Sequence, residues 1–277
     1  MSGTLYLVAT PIGNLGDMTK RASDILADVD FIAAEDTRVT QKLLNHLGIK
    51  KPTISYYAHN LRERGEKIRD RILSGETCAL VTDAGMPAIS DPGEDLVRLC
   101  ADEGIMIFVI PGACAAVAAL ALSGLPTGRF TFEGFLSTAR KSRFEHLEEL
   151  KTEKRTMVFY EAPHKLPAPL RDMLEAFGDR RISLSREMTK IHEETLRCTL
   201  SSALRHFEEK PPRGEFVLVI EGAVRQSDPG LSLEEALDII RDCRKGGLSL
   251  KDSVKKCASL TGYQKNVLYD AALKQIL

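Results

Sequence analysis

The sequence lacks the segments that mark a membrane-spanning or exported protein. None of its apolar runs approaches the roughly 18 residues that a bilayer-spanning helix needs. Its start has no basic region, and the apolar run from Leu5 to Ala9 is too short for a signal peptide. These absences favour a cytoplasmic protein with no membrane partner.

Cysteine is scarce and dispersed, with six among 277 residues and no C-x-x-C pair. Such scattering does not indicate a zinc site or a redox motif. No cluster of histidine, cysteine and acidic residues has the spacing of metal ligands either. We therefore expect no metal.

A strong charge bias is also missing, because the formal net charge is −1. A nucleic-acid partner is not excluded, but it would have to bind to a local basic patch rather than to a global field. The densest basic stretch begins with Arg140, Lys141 and Arg143. The competing interpretation of this stretch is a solvated helix face.

Strand-like and helix-like segments alternate through residues 1–122, which predicts an α/β domain. A linker at 123–128 and a second α/β domain over 130–224 follow. A second break at 226–230 precedes a small helical domain over 230–277. The predicted fold class is therefore α/β, with two α/β domains and a small C-terminal helical domain. The predicted strands are Leu5–Ala9, Phe31–Ala34, Thr53–Tyr56, Cys78–Val81, Ile107–Ile110, Phe130–Phe135, Thr156–Tyr160, Ile182–Ser185 and Phe216–Ile220.

The C-terminal segment opens on a capping box, in which Ser232 is followed three residues later by Glu235. Two further helices, near 250–260 and 264–276, are joined by a short turn. The outline resembles a helix-turn-helix motif. A helical cap on the second domain explains the pattern equally well.

Glycine, proline and aspartate concentrate where the predicted strands end, and ligands bind at the carboxyl ends of strands in an open α/β sheet. These loops contain no G-x-x-x-x-G-K-[ST] and no G-x-G-x-x-G phosphate motif, and the loops nearest the crevice carry no lysine. They offer small side chains and acids, which suit a nucleoside ligand that carries a positive sulfonium. Asp83 is the candidate to bind its ribose or ammonium, unless it only caps a turn.

Seven segments, in order along nearly the whole chain, resemble one branch of the tetrapyrrole methylase family, the branch that methylates the ribose 2′-oxygen of 16S ribosomal RNA. The segments are Tyr6–Leu15, Ala34–Arg38, Val81–Gly93, Val109–Ala113, Phe159–His164, Ser185–Glu194 and Arg213–Val217.

The resemblance implies S-adenosylmethionine in a cleft between the two α/β domains, and a homodimer. It also implies a substrate, cytidine 1402 of 16S rRNA in the small ribosomal subunit. On this reading Arg140, Lys141 and Arg143 would contact the RNA. The cofactor residues implied by the motifs are Pro11, Asp83, Gly85, Met86, Cys114, Ala115, Tyr160 and Met188.

Methyl transfer to a hydroxyl needs alignment and a group that receives the proton. The candidates are Asp36, His59, Glu187 and Lys190. Glu187 and Lys190 are three residues apart beyond a predicted strand end, and form either a paired site or an ordinary ion pair. Asp36 alternatively belongs to a structural pair with Arg38 at a helix start.

Two other functions compete with the RNA methyltransferase. A small-molecule methyltransferase that acts on a tetrapyrrole would share the fold and the cofactor, but would not need the basic stretch or the helical tail. A non-catalytic RNA-binding module would not need ligand-binding chemistry at several strand ends.

Overall fold

A computed structural model describes residues 2–223, 231–263 and 265–275. The chain divides into two compact units, Met1–Gly222 and Ala223–Leu277. The predicted domain 1–122 lies in the first unit. The predicted domain 130–224 also lies there, apart from its last two residues. The predicted break at 226–230 lies outside the described residues.

The first sheet is parallel throughout and has the strand order β3-β2-β4-β1-β5. Its central strands are nearly continuous apolar runs, because helices cover both faces of a parallel sheet. Phe31 to Ala34 and Cys78 to Val81 are accordingly buried at every position. The strands are β1 (Thr4–Val8), β2 (Phe31–Ala34), β3 (Thr53–Ser55), β4 (Cys78–Val81) and β5 (Met106–Ile110).

Helices link these strands, and each buries one apolar stripe against the sheet. Thr19 caps the first helix by accepting a hydrogen bond from the Ala22 amide at 3.1 Å. Leu26 and Leu44 are fully buried on the first two helices. The helices are α1 (Lys20–Asp28), α2 (Thr37–His46), α3 (Leu61–Leu73) and α4 (Glu94–Asp102).

The helix after β5, α5 (Ala115–Leu122), packs on the second sheet rather than on the first. Ala116, Ala119 and Leu120 lie in one buried cluster with Val158 and Val217 of that sheet. The small residues of α5 let the helix approach the second sheet closely. Consequently α5 joins the two halves of the first unit.

The second sheet has the order β6-β7-β10-β8-β9, with β6 parallel to β7 and the other neighbours antiparallel. Its strands are β6 (Phe130–Phe135), β7 (Thr156–Glu161), β8 (Arg181–Arg186), β9 (Glu194–Thr199) and β10 (Phe216–Ile220). Its helices are α6 (Arg140–Glu149), α7 (Pro167–Phe177) and α8 (Leu200–Glu209). The sequence did not predict β9. The segment has only Leu196 and Cys198 as apolar residues, so it lacks the apolar run that marks most of the other strands.

The second unit is a three-helix arrangement of α9 (Leu233–Lys245), α10 (Leu250–Thr261) and α11 (Lys265–Gln275). The predicted capping box of Ser232 and Glu235 is confirmed at the start of α9. The unit has its own core, which includes Leu237, Ile240 and Leu268. Within the residues described, no helix is long and apolar enough to cross a membrane.

Candidate active site

A cavity of about 510 Å³ lies between the two sheets of the first unit. The first sheet contributes loops that follow the carboxyl ends of β1, β2, β4 and β5, and the second contributes residues after β7 and β8 and around the start of β10. The polar residues that line it are Glu35, Thr82, Asp83, Ser90, Asp91, Tyr160, Glu161, His164, Glu187, Lys190 and Glu215.

Backbone pairing between two loops shapes the part of the cavity that the first sheet contributes. Thr10 and Gly85 form an antiparallel bridge, with N–O distances of 2.9 and 3.1 Å. The Thr10 hydroxyl also donates to the Thr82 carbonyl at 3.1 Å. The loops after β1 and β4 are therefore fixed against each other beside the cavity.

Glu35, Asp83 and Asp91 form an acidic wall. Burial and the charge of Glu35 raise the pKa of Asp83. Burial, with the same neighbour and Asp83, raises the pKa of Asp91 to about 6. Carboxylates that repel one another in this way favour a cationic ligand, which relieves the repulsion.

The predicted pair of Glu187 and Lys190 does form, and Glu215 completes it. The Lys190 ammonium lies 3.0 Å from Glu187 Oε1 and 3.0 Å from Glu215 Oε2. The hydrogen bond from the Glu215 amide, with that from Lys190, lowers the pKa of Glu187. Partial burial opposes the charge on Lys190, but its two carboxylate partners outweigh burial and raise the pKa. Lys190 is therefore a fixed cation.

Two glycines provide the space that the cluster of Glu187, Lys190 and Glu215 occupies. A Cβ on Gly13, where φ is +147°, would stand 2.5 Å from Lys190 Cγ. A Cβ on Gly214, where φ is +81°, would stand 2.5 Å from Glu187 Cγ. Glu187 itself has φ +49°, a left-handed conformation that a residue other than glycine adopts at a cost. The strained backbone holds its carboxylate in this packed position.

Tyr160 connects the two halves beside the cavity. Its hydroxyl accepts a hydrogen bond from the Ala116 amide at 3.2 Å, at the start of α5. Burial raises the pKa of Tyr160 to about 12, so the hydroxyl stays protonated at neutral pH. Met188 packs in the same apolar cluster and also faces the cavity.

Most of the predicted cofactor residues come together at this one cavity. Pro11 does not line it, although its neighbour Ile12 does. The predicted residues that line the cavity are Asp83, Gly85, Met86, Cys114, Ala115, Tyr160 and Met188.

Asp36 and His59 do not line the cavity. Asp36 caps α2 and pairs with Arg38 at 2.6 Å, and these hydrogen bonds lower its pKa to about 2. His59 follows β3, the edge strand of the first sheet, and stacks edge-on against Tyr57. These contacts support the structural interpretation of Asp36.

The basic stretch on α6 is not one open surface. Arg143 is only 7% exposed, and its guanidinium binds Asp172 at 2.7 Å, so it is not available to RNA. Arg140 is shared between Asp172 and Glu175. Lys141 is the most exposed of the three, at 87% of its side chain, against 64% for Arg140. The predicted contact of RNA with Arg143 is wrong because an internal ion pair occupies that side chain.

Four acids of the cavity were missed as site candidates: Glu35, Asp91, Glu161 and Glu215. Glu161 is 4% exposed, and burial raises its pKa. All four lie in the segments that carried the resemblance, at or next to the end of a strand or just before a helix. Strand-end acids were thus the available signal. Among the described residues there is no group of three histidine, cysteine or acidic side chains that could hold a metal.

The two-sheet α/β architecture is shared with many solved structures. The chain belongs to the family described as tetrapyrrole (corrin/porphyrin) methylases, whose model matches residues 4–204. This membership confirms the predicted fold class and the predicted methyl donor, S-adenosylmethionine.

Three known proteins illustrate what the chain is similar to. Ribosomal RNA small subunit methyltransferase I of Synechocystis is 47% identical over 273 residues, covering 98% of each chain. The protein of that name from Thermotoga maritima is 48% identical over 220 residues, 79% of this chain and 99% of its own. The crystal structure of a cobalt precorrin-4 methyltransferase superposes with a TM-score of 0.57 at 21% identity, covering 78% of this chain and 94% of that one.

Proposed function

We propose that this protein transfers a methyl group from S-adenosylmethionine to the ribose 2′-oxygen of a cytidine in 16S rRNA, namely cytidine 1402. The observation that carries the proposal is the similarity over 98% of both chains to a ribosomal RNA small subunit methyltransferase I. The acidic cavity supports it by favouring a cationic nucleoside ligand. Such an enzyme would work in the cytoplasm, on the small ribosomal subunit.

The cavity residues fit the methyl donor by charge. Six carboxyl groups line the cavity, against one lysine and one histidine: Glu35, Asp83, Asp91, Glu161, Glu187 and Glu215. When bound, S-adenosylmethionine supplies the methyl group of an activated sulfonium. We assign its binding to Asp83, Gly85, Met86, Cys114, Ala115, Tyr160 and Met188, which line the cavity together.

The chain supplies a fixed cation and a proton acceptor for the ribose hydroxyl. Lys190 stays charged, so it stabilises negative charge that develops on the oxygen and does not act as a base. Asp91 is the acceptor, because its pKa of about 6 leaves it ionised at neutral pH yet more basic than an exposed aspartate. Glu35, Asp83 and Tyr160 are the titratable groups around it. The hydroxyl proton passes to Asp91 and then to water.

The proposed enzyme is a homodimer. The edge strand β5 presents apolar side chains to solvent, with Met106 58% and Phe108 48% exposed. An apolar patch on an unpaired sheet edge is typical of a surface that another subunit covers.

Purified enzyme, S-adenosylmethionine with a labelled methyl group, and small ribosomal subunits from a strain without the enzyme test the function. A 2′-O-methyl group blocks the hydroxyl that alkaline cleavage requires. Label should therefore appear in an alkali-resistant dinucleotide that contains cytidine. Label in mononucleotides alone would indicate base methylation, and absence of label from RNA would refute an RNA substrate and favour a small-molecule acceptor.

A further inference from the structure

A second cavity, of about 320 Å³, adjoins the first. The two cavities share Glu161 and His164 as lining residues. The second cavity is formed by the segment after β6, by the start of α7, and by Lys165, which lies between β7 and α7 along the chain. A ligand that occupied it would therefore reach the boundary of the cofactor cavity.

The two cavities have opposite charge. Six acids and one lysine line the first, whereas Arg143, Lys165 and Arg171 line the second against Glu161 alone. Carboxylates would repel the phosphates of an RNA strand from the first cavity, and cations would attract them to the second. A methyltransferase for RNA has to bind a cationic donor and a polyanionic acceptor side by side, and the pair of cavities separates these demands.

The cations of the second cavity are not equally available. Arg143 is committed to Asp172, and it donates to the Ser137 carbonyl at 2.9 Å, so it fixes the wall. Lys165 has no ion-pair partner among the residues that the structure describes. Arg171 forms a surface pair with Glu208 at 3.1 Å, and 59% of its side chain is exposed. A surface pair of this kind contributes little and can exchange partners.

We propose that the second cavity binds a backbone phosphate of the RNA strand next to the methylated nucleotide, through Lys165 and Arg171. Bound there, the phosphate places the neighbouring ribose at the shared wall of Glu161 and His164, facing the cofactor cavity. The inference rests on the proposed function, since it assigns a subsite to the RNA substrate. It also moves the RNA contact from α6 to the start of α7.

The test compares the double variant Lys165→Ala/Arg171→Ala with the parent protein and with Lys141→Ala on α6. Binding of a single-stranded RNA that spans the target cytidine is measured across salt concentrations, and binding of S-adenosylmethionine is measured by calorimetry. Loss of two phosphate contacts should lower the slope of log affinity against log salt by about 1.4. At about 0.1 M salt that corresponds to roughly 25-fold weaker RNA binding. Affinity for S-adenosylmethionine should not change, and Lys141→Ala should keep the parental slope.

The outcomes separate the subsite from the function itself. If the parent methylates small subunits while the double variant keeps the parental slope and rate, the subsite is refuted and the function stands. If Lys141→Ala lowers the slope and the double variant does not, the RNA contact lies on α6. If the parent transfers no methyl group to RNA, the proposed function fails. The variant Lys165→Glu reverses the charge at an exposed position. It should weaken RNA binding more than Lys165→Ala, which separates an effect of charge from an effect of lost packing.

Discussion

Replacing Asp91 with asparagine should stabilise the ligand-free protein while impairing its function. Burial and two neighbouring acids raise the pKa of this carboxyl group from 3.8 to about 6. A carboxyl group whose pKa is higher in the folded protein binds its proton more tightly when folded. Its ionised form therefore reduces stability at every pH above about 6, and this penalty disappears as the pH falls through 6 toward 3.8.

A shift of about two pKa units corresponds to about 3 kcal/mol at full strength. Because Asp91 is partly solvated, we reduce the expected effect to about 1 kcal/mol. In a protein of this size that gain raises Tm by about 2–4 °C. The measurement is thermal unfolding of the ligand-free Asp91→Asn variant at about pH 7.5 and about pH 4.5. The gain should be fully present at the higher pH and reduced to about a third at the lower.

The same substitution should reduce methyl transfer about 10²–10⁴-fold, as expected for loss of a general base. Asp95→Asn is the matched control, because Asp95 lies on α4 and only pairs with Arg98 at the surface, at 2.9 Å. Its effect on stability should stay within about 0.5 kcal/mol and it should leave activity unchanged. An Asp91→Asn variant that unfolds below the parent at neutral pH would refute the reasoning, since the carboxylate would then be a net stabiliser.

Four further outcomes are expected. Asp83→Ala should abolish S-adenosylmethionine binding in calorimetry without unfolding the protein, and an unchanged Kd would contradict the assigned role. Gly214→Ala should displace Glu187 and impose an unfavourable φ, so both Tm and activity should fall. Unchanged Tm and activity would mean that Glu187 can move aside at little cost. Removal of residues 223–277 should preserve cofactor binding, because the Thermotoga relative aligns over only 79% of this chain yet 99% of its own length; a truncated protein that folds but binds no cofactor would disprove this. Phe108→Glu should shift the protein to a monomer in sedimentation, and a dimer that persists would exclude the β5 edge as the interface.

Much of the fold was predictable from local pattern. Among the residues described, nine of the ten strands are short apolar runs or alternations that the sequence marks directly. The strand β9 was missed because only Leu196 and Cys198 are apolar among its 6 residues. The helix α5 was not predicted as an element, and apolar residues all round a helix do not say which sheet it covers.

The sequence by itself determined the chemistry available at the strand ends: acids, glycines and small side chains that suit a cationic nucleoside. It also paired Glu187 with Lys190 from their spacing. Only the tertiary structure decided which of these residues meet. The strand order puts β3 at the edge of the sheet, which takes His59 away from the cavity, and the pairing with Asp172 buries Arg143. The physical reason is that spacing along the chain fixes local neighbours, whereas the meeting of the loops after β2 and β4 with the second sheet depends on which surfaces are buried together across long stretches of intervening chain.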